Sequence, residues 1–197
     1  MNFPPPPRIA VNPRGGYDVD LPAEERDLLT MLPGQILQEL EKMSRPEAIP
    51  SASLRRLFPP AYPTDVVAEN AYVRLVREDL IEHHRAALLL LRDSAEVTHL
   101  DEAGIESWMT ALTDLRLMLG SKLGVSEDAF EVAPGDPDYY EWICYCYLSQ
   151  LQQEIVEILT TQLPAPSPNA NDGLPEDPWG DPLGGLRWDG TPTPGEQ

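Results

Sequence analysis

The sequence predicts an all-α protein, an antiparallel bundle of four to five helices with a small N-terminal β-hairpin and a disordered C-terminal tail. Two observations carry that reading. Apolar residues recur at three- and four-residue steps along most of the chain between Leu28 and Leu163, bracketed by residues that start or stop helices. The 22 prolines of the 197 residues cluster towards the ends, leaving the middle free to coil. The organisation expected is a disordered segment over 1–7, the hairpin-and-bundle domain over 8–163, and a Pro/Gly-rich acidic tail over 164–197.

Ile9 and Val11 alternate with polar neighbours, as do Tyr17 and Val19, and Asn12-Pro-Arg-Gly-Gly16 supplies the turn between them. Asp20 is placed to cap a first helix that carries Glu24 and Glu25 in its first turn, where the helix dipole favours acids. Its apolar residues are Leu28, Leu29, Leu32, Ile36, Leu37 and Leu40, and Pro33-Gly34 in their midst predicts a kink or two short helices. Five prolines between Arg45 and Thr64 make an irregular crossing. A long helix follows from Asp65 to about Arg92, with Tyr72, Val76, Leu80, His83, Ala87 and Leu90 down one face. The next runs from about Asp101 to Leu123, ends at Gly124 as a left-handed cap, and carries the stripe Ile105, Trp108, Leu112, Leu115, Leu119 and Leu123. The last starts at Asp136-Pro137 and continues to about Leu163. Four such amphipathic stretches joined by modest loops make a bundle.

The tail holds eight prolines, six glycines and six acids against the single Arg187, too little apolar surface to offset its ordering entropy. Trp179 and Trp188 sit there in similar settings, either as part of a solvated tail or as aromatic anchors of a short linear motif.

Charge narrows the function. Thirty-three acids against 14 bases give −19, so phosphate backbones repel the chain and any DNA would be reached only indirectly. The apolar run Ala86–Leu91 is far short of the about 20 residues a membrane span needs, and Met1–Arg8 lacks a signal peptide's apolar region. A cytoplasmic protein with no membrane contact is expected, and two cysteines are too few for a disulfide scaffold. No catalytic, metal or cofactor site is expected, and the chain is not read as an enzyme. Glu96-Val-Thr-His99 is the one Glu-x-x-His and falls in a loop. His83 and His84, about 100° apart on a helix, cannot share an ion. His83 is read as a core histidine.

Other features point to partners. On the last helix Cys144 shares the core stripe with Leu148, Leu151, Ile155 and Ile158, whereas Cys146 lies about 200° away. Cys144 is expected buried and Cys146 more accessible, a candidate for oxidation, with their side chains diverging. From Tyr139 to Leu148 the same helix is apolar nearly all round, and Tyr139 and Trp142 suit an interface with a protein partner or a second copy of the chain. On the long helix Arg74, Arg77, Arg85 and Arg92 fall within about 80° of one another, either a solvated face paired with nearby acids or a docking surface for an acidic segment. Arg116 borders an apolar stripe and calls for a carboxylate from a neighbouring helix.

Three segments in this order, Ser53-Leu-Arg-Arg-Leu-Phe-Pro-Pro-Ala-Tyr62, Trp108-Met-Thr-Ala-Leu-Thr-Asp-Leu-Arg-Leu-Met-Leu-Gly120 and Tyr140-Glu-Trp-Ile143, resemble the actinobacterial AosR-like family of oxidative-stress transcriptional regulators. The resemblance spans roughly Arg8 to Leu163. It implies a redox-responsive regulator that acts through a protein partner, a sigma factor or RNA polymerase. The family's redox sensing is associated with Cys-x-x-x-Cys, whereas this chain has Cys144-Tyr-Cys146. The alternative expectation is a redox-indifferent helical adaptor or homodimeric module without catalysis.

Overall fold

A computed structural model of the chain describes residues 7–45, 48–125 and 132–162. The expected tail with Trp179 and Trp188, and nearly all of the expected N-terminal segment, lie outside the described residues. Strand β1 (Ile9–Val11) pairs antiparallel with β2 (Tyr17–Val19), Ile9 opposite Val19 and Val11 opposite Tyr17. The turn closes through Gly15 and Gly16, both at positive φ. A third short strand, β3 (His99–Leu100), joins β2 with Leu100 opposite Tyr17, so the hairpin is the larger part of a three-stranded sheet. His99, expected in a loop, is thus in a strand, since two residues give no period to detect. Gly16 lets it approach: a Cβ there would sit 2.4 Å from the Leu100 carbonyl oxygen. The inward face of the sheet is Ile9, Tyr17, Val19 and Leu100, all buried.

Helix α1 (Ala23–Met31) begins after Pro22, which contributes no side-chain cap. Asp20 does not cap it: its backbone N–H donates to the Arg8 carbonyl and prolongs the sheet instead. The chain breaks at Leu32, and Pro33 opens α2 (Pro33–Met43), giving two short helices as the Pro-Gly pair predicts. Arg8 ties the sheet to the helices, donating to Glu25 of α1 at 2.8 Å and to Glu154 at 2.7 Å. These two carboxylates hold the Arg8 guanidinium even further into its protonated range. The crossing that follows contains a 3-10 turn, Leu54–Arg56, anchored by buried Leu54 and Leu57.

Helix α3 (Val66–Asp93) is capped by Asp65, whose carboxylate accepts from the N–H groups of Val67 and Ala68, both at 3.0 Å. Its buried residues are Ile81, His84, Ala87, Leu88 and Leu91. The expected stripe is therefore rotated by one residue: His84 faces the core and His83 is exposed. Ala86–Leu91 is apolar all round, so periodicity leaves the phase of the stripe open and the neighbouring helices choose it.

Helix α4 (Glu102–Leu123) lies between α3 and α5 and is the centre of the bundle. Asp101 caps its start, Gly124 in the left-handed region ends it, and every residue of its expected stripe is buried. Trp108 is wholly buried, and its indole N–H donates to Ser94 at 2.8 Å. Helix α5 (Tyr139–Gln162) starts slightly later than expected, after a turn in which Asp136 accepts from the Asp138 N–H. Cys144, Leu148, Leu151 and Ile155 pack on α4, and Ile158 is half-buried.

Candidate functional site

The first half of α3 extends past the core. Between Val66 and Leu80 no residue is fully buried, and Val66, Val67 and Leu75 are 73%, 80% and 79% exposed. Between this half and the end of α2 runs a groove of about 680 Å³, walled by Arg74, Arg77 and Arg85 together with the acids Glu78, Asp79 and Glu82, with Met43 and Ile81 among its apolar lining. Arg92 stands further along, beside a recess of about 340 Å³ that shares Arg85 and includes Leu37 and Leu89. The structure thus sets the four predicted arginines along one α2–α3 seam.

Their local partners include nearby acids and backbone. Arg85 lies 3.7 Å from Glu82 and reaches the Ser44 hydroxyl at 3.5 Å. Arg77 donates to the Arg45 carbonyl at 3.4 Å, and Arg92 pairs with the adjacent Asp93 at 2.8 Å. Arg55 lines a smaller recess of about 200 Å³ that shares Arg77 and is built from Pro50, Phe58, Tyr72 and Val76. Charged heads of both signs over exposed aliphatic surface form a surface of two characters, one for charge and one for apolar contact.

Helix α5 supplies the other predicted features. Cys144 is buried and Cys146 half-buried, and burial pushes both thiols above their ordinary range. Both are free, on diverging sides of the helix. Tyr139 is half-buried, while Trp142 stacks on Tyr145 with ring centroids 5.8 Å apart. Tyr145 in turn lies under the Arg116 guanidinium at 5.7 Å. Part of the aromatic segment is therefore satisfied inside the molecule, leaving Tyr140 and Ile143 exposed at 64% and 47%. Arg116 departs from its expectation: it donates to the Ser149 hydroxyl at 2.9 Å and to the Gln152 side chain, neutral acceptors on α5 rather than a carboxylate. Its position at the edge of the core leaves it solvated enough to need no counter-charge.

A pair that sequence reading missed joins α3 to α4. His84 Nδ1 lies 2.8 Å from Asp114 Oδ2, and both residues are buried, at 8% and 3% exposure. Burial raises the Asp114 carboxyl above the ordinary aspartate range, and the bond to His84 opposes that shift. The ring packs edge-on against Phe58 at 5.6 Å, and its Nε2 has no hydrogen-bond partner. A signal was present: Asp114 falls at helical spacing between Ala111 and Met118, an acid on a buried face that demands a partner. Choosing His84 over His83 needed the rotation of α3.

The match to known families covers all of these features. The model of a domain of unknown function, DUF2017, matches residues 8–159. The chain belongs to the DUF2017 family. No curated protein and no solved structure matches it. The DUF2017 match runs from the first strand into the last turn of α5, so the arginine seam, the His84–Asp114 pair and both cysteines lie inside the family's domain. Among the described residues of this DUF2017 chain, no group of three His, Cys, Asp or Glu side chains is placed to hold a metal ion. Among the same residues, no helix is long and apolar enough to cross a membrane.

Proposed function

We propose that this DUF2017 protein is a regulatory adaptor of the transcription machinery that catalyses nothing itself, works through a sigma factor or RNA polymerase, and reaches DNA only through that partner. The observation that carries the reading is the groove that gathers Arg74, Arg77 and Arg85 beside the partly exposed half of α3. On a chain of charge −19, three arginines gathered in one groove, among the acids Glu78, Asp79 and Glu82, are the feature that favours an acidic protein segment as the partner. The transcriptional role rests on the resemblance of the segments at 53–62, 108–120 and 140–143 to the AosR-like regulators. The thiols favour the redox-indifferent form of this reading: a reactive cysteine has a lowered pKa, and burial raises both of these.

The test is a pull-down from a lysate of the source organism, comparing wild type with the double variant Arg74→Glu, Arg77→Glu, each reduced and peroxide-treated. Wild type recovers a sigma factor or a polymerase subunit equally in both states, and the charge-reversed variant loses it. Undiminished recovery by the variant would reject the groove. A peroxide effect that Cys146→Ser abolishes would restore the thiol switch.

A further inference from the structure

The buried His84–Asp114 pair lines a recess of about 550 Å³ between α3, α4 and the 3-10 turn, which shares Pro59, Tyr72 and Leu80 with the small proline-lined recess. We propose that this recess binds a small organic monocarboxylate with an apolar body. Two features select that class of ligand, and a third describes the floor beneath it.

The walls are largely aliphatic and aromatic, with Tyr72, Leu80, Met109 and Leu117 prominent, and the volume falls within the about 300–1,000 Å³ of small-molecule sites. An apolar body is what such walls take up. Arg56 lines the same recess, is exposed, and makes no ion pair among the described residues, so a fork of donors stands at the mouth with nothing to hold. The third feature is deeper. Asp114 occupies Nδ1 of His84 and so fixes the imidazole, leaving Nε2 buried and unpartnered. An unmet polar atom in an interior is uncommon and is met by a ligand or an ordered water.

One guanidinium matches a single anionic head, while Nε2, an acceptor when Nδ1–H donates to Asp114, is left to an ordered water. A phosphate or a dicarboxylate would bring charge that this recess cannot neutralise beside Asp114, and a neutral hydrocarbon would leave Arg56 unused. The carboxylate therefore pairs with Arg56, the body lies along Leu80 and Leu117, and His84 marks the polar end of the floor.

The probes are 4-phenylbutyrate and its neutral counterpart 4-phenylbutanamide, titrated into the full chain by calorimetry, with the histidine ring resonances followed by NMR. The acid is expected to bind saturably, to shift the His84 ring and not that of His99, and to bind at least about tenfold more tightly than the amide. Arg56→Gln, at an exposed position, should bring the acid down to the affinity of the amide. Leu117→Trp should block both by filling the recess, and Arg74→Glu, in the other groove, should change neither. Circular dichroism confirms that each variant is folded. Failure of the acid to saturate by about 10 mM, equal affinity for acid and amide, or an Arg56→Gln variant that binds like wild type would each overturn the proposal. A water alone at Nε2 gives the first of these results.

Discussion

The two halves of α3 are nearly equal in apolar content and opposite in fate. The first half carries Val66, Val67, Tyr72, Val73, Leu75, Val76 and Leu80, and none of them is fully buried. The second carries Ile81, Ala86, Ala87, Leu88, Leu89, Leu90 and Leu91, of which Ile81, Ala87, Leu88 and Leu91 are fully buried. Hydrophobicity alone does not distinguish core from surface; what matters is whether another element arrives to cover it. α4 and the short helices pack on α3, while the first half, capped by Asp65, meets mainly the crossing segment through Phe58 and Tyr62. An apolar helix extended past its own core is an economical way to present a docking face, because the buried part supplies the stability the exposed part lacks.

The most direct way to break this comparison is to truncate one leucine in each half. Leu88→Ala should cost about 2–5 kcal/mol in a denaturant titration, as a cavity in a close-packed interior does. Leu75→Ala should stay within about 0.5 kcal/mol. Equal losses would mean that the first half is covered after all.

A smaller effect concerns the seam that ends the exposed half. Asp114→Ala leaves His84 buried without its partner and should cost about 1–3 kcal/mol. Asp114→Asn keeps an acceptor for Nδ1–H and sharpens the test through pH. The folded state binds the Asp114 proton more tightly than the unfolded chain does, so ionising it is unfavourable to folding. That penalty is absent below the ordinary aspartate range and grows as pH rises through the raised pKa. The stability of Asp114→Asn relative to wild type should therefore increase with pH over that window.

Reactivity gives a third contrast, this time within α5. With its thiol raised by burial, Cys146 should alkylate slowly at neutral pH and faster only above the ordinary thiol range. Cys144 should be protected until the chain unfolds, as mass spectrometry of iodoacetamide-treated protein would show. Rapid labelling of Cys146 at neutral pH would contradict this placement.

The smallest effect is at the start of α5, where Lys122 donates to Glu141 at 2.7 Å. The hydrogen bond from Lys122 holds the Glu141 carboxyl below its usual range. Its contribution is present above the ordinary glutamate range and lost as pH falls through the lowered value. Lys122→Ala should cost less than about 1 kcal/mol at neutral pH and nothing in acid.

Much of the fold was legible because its signals are local. The stripe from Ile105 to Leu123 and the left-handed Gly124 identify α4 from periodicity and one cap. The Pro33-Gly34 break needs only the missing proline N–H. The arginine seam was legible for the same reason, since residues three, four and seven apart share a helix face whatever lies opposite. The sheet's third strand, the partners of Arg116 and the His84–Asp114 pair were not, because each joins groups distant in sequence: Gly16 to Leu100, α4 to α5, and α3 to α4.

By itself, then, the sequence determined the helices, the Asp65 and Gly124 caps, the Pro33-Gly34 break, the acidic balance and the positions of the arginines along one face. All of these follow from rules that act within a turn or two of the chain. Only the tertiary structure decided which half of α3 is covered, which of two adjacent histidines turns inward, and that the inward one meets a buried acid with one nitrogen left over. A rotation of about 100° separates His83 from His84. No local preference sets that angle in an all-apolar stretch; the packing of α4 against it does.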